Sequence, residues 1–456
     1  MFKSEDNSAL DFGSDNIIKI LLKLAPPVMF AQLIQALYNI IDSFFIGQYS
    51  EDGLTALSII YPVQLLMIAL AVGTGVGINT LMAGYSGVGK NREAEETAGT
   101  GTILAVIMWV IFAMICYMIM PSYTRMSTHS ETVIEQVTLY GRIVCVFSIG
   151  LFMESIWTKV LQSGGNMRIP MIAQIMGAII NIILDPVLIF GFWKIPAMGI
   201  SGAAMATVLG QMAAALIVMK QGFRKSPELR KYPAYIKSIY RFGFPNILMQ
   251  SAYTFYILGL NLILKTFSNE AITALGLYYK WQTFFFIPLG ALQTCIVPII
   301  RYNYSAGKYD RCRKTLTSSV MIGLCLMFVG TLCFELIPSQ LISVFSQDAL
   351  VLSIGTFAFR WIGISFIPMV TSLIFPVFFQ AAGCAIRSSL LTILRTVILF
   401  VPLGWVFSRF GLERFWMTFV VTETITTVIG FFFYDAFKKE NHTVIECDTD
   451  SNVMNF

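Results

Sequence analysis

Asp42 in "ALYNIIDSFFIG" and Asp185 in "NIILDPVLIF" are carboxylates set in apolar runs long enough to lie in hydrocarbon. At mid-bilayer depth such a group costs ~2.5–3.5 kcal/mol on insertion scales, which favours a functional over an incidental role. Burial disfavours the charged form of an acid, so a carboxyl in such a place can load and unload a proton. Alternatively, the oxygens of Asp42, Asn181, Asp185 and Thr207 are hard ligands that would suit Na⁺. Structural hydrogen bonding to neighbouring helices is the plainer role for one such acid. It fits two acids less well, since amides flank both.

The amides follow helical spacing. Gln32, Gln35, Asn39 and Asp42 recur at steps of three and four, which puts them on one stripe of a helix. Gln174, Asn181 and Asp185 share a face further on, and Thr207 and Gln211 lie one turn apart on the next apolar run. Gln35, Asn39, Gln174 and Gln211 are therefore candidates to line a cavity. Asn246, Gln250, Thr254 and Asn261 share a face later in the chain, and Glu423 lies within the apolar stretch "VVTETITTV". Gln250 and Glu423 are the cavity candidates there. Pro26 and Pro27 fall on the first apolar run. A helix start and a bend that couples to Asp42 are both consistent with them.

The elements that hold these residues must be membrane helices. Of 456 residues 56% are hydrophobic and 12% charged, about half the charge of a soluble domain. Only helices or closed barrels satisfy the backbone in lipid. Runs near 18–45, 56–82, 100–120, 138–158, 171–192, 199–219, 243–265, 275–299, 316–338, 355–377, 389–408 and 414–434 predict twelve helical spans, an all-α integral membrane protein. The first residues lack the basic-then-apolar pattern of a cleaved signal. With both ends placed in the cytoplasm, the linker bases Lys220 to Arg241 and the loop bases Arg92, Arg301 and Arg311 all fall inside. Only Arg125, Lys194, Lys265, Arg409 and Arg414 fall outside. That asymmetry is the positive-inside pattern, and it predicts a multi-pass protein of the cell membrane with both termini cytoplasmic.

The chain also repeats itself. "LTALSIIYPVQ" reads against "ITALGLYYKWQ", and at the same offset "AGYSGVGKNREAEET" reads against "RYNYSAGKYDRCRKT". Pro27 then matches Pro245, and Gln162 matches Gln380. The domains predicted are a polar tail at 1–16, an N-lobe of six spans at 17–219, a basic linker at 220–241, a C-lobe of six spans at 242–437 and a polar, disordered tail at 438–456. Six spans return the chain to its starting side, so the repeats are parallel, and transporters built so bind substrate between their halves. Asp42 and Asp185 match leucines in the second half, which confines the acidic pair to the first.

Several chemistries are excluded. The net charge of +5 follows from the loop bias and does not argue for nucleic-acid binding. The eight cysteines include no CxxC pair, and His129 and His442 lie far apart, so neither a metal site nor a cofactor is expected. "GYSGVGKN" misses the phosphate-loop pattern at Asn91 and follows no strand. "GTGVG" reads as close helix packing. No nucleophile–base pair suggests an enzyme.

"APPVMFAQLIQALYNIIDSFFIG", "NIILDPVLIFGF", "GISGAAMATVLGQ" and "PIIRYNYSAGKYDR" resemble the multidrug and toxin extrusion (MATE) family over nearly the whole chain. That resemblance implies two six-helix lobes and export of amphipathic organic cations in exchange for H⁺ or Na⁺, by a chain expected to act as a monomer in lipid. It adds Tyr140 and Thr207 to Asp42, Asn181 and Asp185 as coupling residues, and it matches Pro27 to a bent first helix. Departures are Gln250 on span 7, where some members have a coupling acid, and Gln162, where many have arginine. A lipid-linked oligosaccharide flippase of the same superfamily is the alternative. Such proteins usually have two more spans and a basic cavity, whereas these N-half spans are nearly free of bases.

Overall fold

The computed structural model describes residues 11–128, 130–193 and 195–453. His129, Lys194, the side chain of His442 and the first ten residues of the polar tail lie outside that description. Among the described residues the regular structure is helical, apart from one isolated bridge between Phe192 and Ile195. Ten helices are long and apolar enough to cross a membrane, and twelve spans result when each of two bent pairs counts as one.

In the first repeat the spans are α1 (Ile17–Tyr49), α2 (Glu51–Gly87), α3 (Asn91–Ser127), α4 (Glu131–Val146 with Ile149–Ser163, bent by 43°), α5 (Arg168–Ile189) and α6 (Ile200–Gly222). The second repeat follows as α7 (Tyr232–Leu264), α8 (Asn269–Phe285 with Ile287–Ser305, bent by 51°), α9 (Tyr309–Leu336), α10 (Ala349–Ala381), α11 (Ala385–Ser408) and α12 (Met417–Val453). The bent spans are the fourth of the first repeat and the second of the second, so the bends do not follow the repeat. The segment expected to be a tail from 438 continues α12 as a helix, rather than leaving it as a disordered end.

By packing, the chain forms two compact units whose limits differ from those of the repeats. One comprises residues 1–254, 282–319 and 380–385, and the other 255–281, 320–379 and 386–456. The first unit thus joins the whole first repeat to parts of α7, α8 and α9. The reason lies in the small residues predicted to pack closely. A Cβ at Gly73 would lie 2.3 Å from the Ile247 side chain, and one at Gly77 would lie 2.2 Å from the Ile239 carbonyl. Only hydrogen at those positions lets α2 and α7 backbones approach so closely.

The start of the chain is tied into the same unit. Asn16 caps α1 by accepting from the backbone N–H of Ile18 at 2.9 Å, as a helix N-terminus requires. Arg311 on α9 donates to the Phe12 carbonyl at 2.8 Å and the Asp15 carbonyl at 2.7 Å. Phe12 is buried and meets Tyr302 edge-on. α1 starts at Ile17, so Pro26 and Pro27 lie inside a helix that continues past them and do not mark its start. Neither proline can donate to the preceding turn.

The second unit has an aromatic core. Tyr278, Phe334, Phe366 and Phe419 pack as one cluster, and Tyr256 stacks on Phe400 at 4.7 Å. Within α11, residues Leu394–Phe400 form a π-helical stretch.

Candidate functional site

The site in the first unit begins with a close crossing. A Cβ on Gly177 of α5 would sit 2.8 Å from the Gly210 carbonyl of α6, and one on Gly210 would sit 2.6 Å from the Gly177 carbonyl. The two glycines therefore let α5 and α6 touch along their backbones. Asn181 follows Gly177 by one turn and Thr207 precedes Gly210 by three residues, so both are held beside the crossing, and both are buried. α1 packs against α5 and brings its own polar stripe to the same place.

There Asp42 and Asp185 meet. Asp185 is 0% exposed and Asp42 is 7% exposed, and each lies within the other's electrostatic field. Two carboxylate anions offer acceptors only, so a proton or cation at the pair would relieve their mutual repulsion. Asn181 Nδ2 donates to Asp185 Oδ1 at a long 3.4 Å. Asp42 Oδ1, Asp185 Oδ2 and Asn181 Oδ1 are buried with no hydrogen-bond partner. Among the described residues no lysine or arginine forms an ion pair with either acid. Buried oxygens without partners are rare and costly. Three of them converge here.

Tyr140, reached by way of the family resemblance, belongs to this cluster. It is buried, and it lies within the electrostatic field of Asp42 and close to Thr207. Helices α1, α4, α5 and α6 thus all contribute to one polar centre. Gln35 and Asn39 lie on the Asp42 stripe with exposed side chains. Gln211 is half-buried, with a buried Oε1 that has no partner. Gln174 donates to Glu154 at 3.3 Å. Gln250 donates to Asn246 at 2.8 Å, one turn away on α7.

Glu423 does not sit on a cavity wall. It is 0% exposed in the second unit. There Arg395 donates to both of its oxygens, at 3.0 Å from Nε and 2.6 Å from Nη2 to Oε1 and at 3.1 Å from Nε to Oε2. Ser372 completes its shell. A carboxylate paired bidentately in this way is already neutralised. Arg395 is correspondingly buried at this pair and does not snorkel from a span end. The near-equal spacing of many apolar residues around both hides such a pair in sequence, because it joins α11 to α12 across 28 positions.

Sequence reasoning passed over Glu154 on α4 entirely. The signal was present: a lone acid inside the apolar stretch "GLFMESIW". Tyr38, one turn before Asp42, was also overlooked, although it lies within the electrostatic field of Asp42, Asp185 and Glu154.

The MatE family pattern matches residues 27–187 and 245–406, one block in each repeat. The chain is 23% identical to the Multidrug export protein MepA of Staphylococcus saprophyticus over 92% of this chain and 94% of that one. It is 25% identical to an FAD transporter of Shewanella oneidensis, covering 85% and 87% of the two chains. Among solved structures it superposes with a TM-score of 0.89 on a MOP superfamily transporter from Pyrococcus furiosus, at 20% identity over 96% of this chain and 100% of that one. It matches a mutant of the Vibrio cholerae MATE transporter VcmN with a TM-score of 0.88, at 20% identity over 93% and 97%. These likenesses establish the fold as twelve membrane helices in two lobes. The chain belongs to the MatE family, and it is a multi-pass membrane transporter rather than an enzyme.

Proposed function

We propose that the protein is a secondary antiporter that exports amphipathic organic cations in exchange for H⁺ or Na⁺, with both termini cytoplasmic. Asp42 and Asp185 hold the coupling ion, and Asn181 orients or ligates it. Tyr140 and Thr207 close the polar shell. The observation that supports this most directly is that Asp42, Asp185 and Asn181 each hold a buried oxygen without a partner while neither acid forms an ion pair with a described base. A visiting proton or Na⁺ supplies what the site lacks, and its departure leaves the site unstable enough to favour rearrangement. Pro26 and Pro27, which remove two backbone donors on the helix that bears Asp42, give that rearrangement a place to bend.

The names of relatives support export of varied small molecules, since one is a multidrug export protein. Another is an FAD transporter, so a dinucleotide is the cargo to test against the cationic one. The test uses purified protein in proteoliposomes, with a fluorescent organic cation and FAD as separate cargoes, under a Na⁺ gradient or a pH gradient alone. Movement of the cation driven by either gradient is expected. Movement of FAD alone, or of the cation with neither gradient, would refute the reading.

A further inference from the structure

Glu154 is the membrane acid for which the mechanism above has no task. It lies on the second segment of α4, nine residues before Ser163, which at about 1.5 Å per residue places it roughly 14 Å from that end of the helix. Asp185 lies seventeen residues beyond Arg168, the start of α5, or roughly 26 Å from the same end by the same rise. A turn of only a few residues joins those two ends. Glu154 therefore sits roughly 12 Å below the Asp42–Asp185 pair, towards the face that bears the basic loops.

Its surroundings suit a cation station more than a structural bond. Glu154 Oε1 accepts from the Thr158 hydroxyl at 2.8 Å and from Gln174 Nε2 at 3.3 Å. Gln174 shares the α5 stripe that leads on to Asn181 and Asp185. The side chain is half-buried. The nearest base, Lys159, is five positions along the same helix, which turns it about 140° away from Glu154. Its ammonium is instead bound to Gln162 Oε1 at 2.9 Å. Glu154 thus forms no ion pair among the described residues. The contrast with Glu423, locked to Arg395, is direct. The titratable groups coupled to Glu154 by charge are Lys159 from its own helix and Tyr38 from α1, and Tyr38 is also within the field of both aspartates.

We infer that Glu154, aided by Thr158 and Gln174, is a second cation-binding carboxylate that receives the coupling H⁺ or Na⁺ from Asp42–Asp185 on its way to the basic face. The inference rests on the proposed coupling role of the aspartate pair. Tyr38 and the α5 stripe bridge the gap between the two stations, and Gln162 keeps Lys159 from occupying the inner one.

The test compares wild type, Glu154→Gln, Glu154→Asp and Asp185→Asn in proteoliposomes. Binding of a fluorescent organic cation is read separately from ion-driven exchange. Glu154→Gln is expected to bind the dye within twofold of wild type, yet to exchange it at least tenfold more slowly and with a shifted dependence on the coupling ion. Glu154→Asp is expected to restore at least half of the exchange. Wild-type exchange and ion dependence in Glu154→Gln would overturn the inference, as would equal loss in both variants without a shift in ion dependence. Should Glu154→Gln fail to reach the membrane, Gln174→Leu removes a donor from the same carboxylate, and an unshifted ion dependence there overturns it equally. Asp185→Asn separates the two readings. Full exchange in that variant sinks the coupling role itself, whereas loss there beside wild-type Glu154→Gln sinks only the second station.

Discussion

Replacing Asp185 by asparagine changes the fewest atoms at the polar centre while removing half of its capacity for charge. Asparagine retains an oxygen at the position of Asp185 Oδ1, so the 3.4 Å bond from Asn181 survives. The other oxygen, Oδ2, is buried and unpartnered, and an amide there breaks no existing bond. The stability cost is therefore within about 1 kcal/mol, the scale of a single hydrogen bond, and membrane abundance should stay within about twofold of wild type. Transport should not survive. With one coupling ion carried per carboxyl pair in the proposed scheme, exchange with a monovalent organic cation would be one for one and move no net charge. A tenfold ion gradient is worth about 1.4 kcal/mol and sustains at most about a tenfold cargo gradient. Asp185→Asn is expected to let that cargo gradient collapse to unity. The assay imposes a tenfold Na⁺ or H⁺ gradient on proteoliposomes and reads accumulated dye at steady state. A variant that still holds a tenfold dye gradient would refute the placement of the coupling ion at this pair.

Other perturbations test the scaffold. Gly210→Val should abolish exchange while Gly276→Ala, where an added Cβ meets nothing within 4 Å, should not; the same proteoliposome assay compares them. Arg395→Leu alone should destabilise the protein by about 3–5 kcal/mol by stranding Glu423, while Arg395→Leu with Glu423→Leu should recover most of that loss, as read by thermal unfolding in detergent. Arg311→Ala should speed amide exchange at residues 14–16 by roughly tenfold, as loss of charge-assisted bonds worth about 1.5–3 kcal/mol implies, with hydrogen–deuterium exchange as the readout. Asp11 is held below the usual carboxylate range by donation from Ser14 and Gly13. Its turn is therefore intact at neutral pH and is lost as pH falls through that lowered value, so Gly13 exchange should lose its protection only in strong acid.

Most of the centre was legible because helical periodicity is local. Asn181 and Asp185 are one turn apart, and a stripe of four polar residues on α1 needs no tertiary information. Gly177 and Gly210 were harder, since a glycine signals close approach without naming its partner. The Arg395–Glu423 pair was harder still, because its members lie on different helices and each reads alone as an isolated charge. Glu154 was missed for a different reason. It has no amide within one turn on its own helix, and its partner Gln174 was assigned to a stripe that already had an acid. The limits of the packing units were illegible too, because they depend on which small residues of α2 meet α7, while the repeat marks only ancestry.

The second unit answers the same physical problem in the opposite way, and that contrast is informative. Burial of a carboxylate demands a counter-charge or a proton. Glu423 is given a permanent counter-charge in Arg395 and a hydroxyl from Ser372, so nothing mobile is needed. Asp42 and Asp185 are given each other and a single long bond from Asn181. The chain therefore has the means to neutralise a buried acid permanently and, among the described residues, uses it at Glu423 and not at Asp42 or Asp185. Placing an arginine beside the aspartates should then silence them as Arg395 silences Glu423. Thr207→Arg, which sets a base on α6 beside Asn181, is expected to leave a folded protein that binds no coupling ion, detectable as exchange insensitive to both Na⁺ and pH gradients. If Thr207→Arg still exchanges dye with a normal ion dependence, the bareness of the aspartate pair is not what couples transport to the ion.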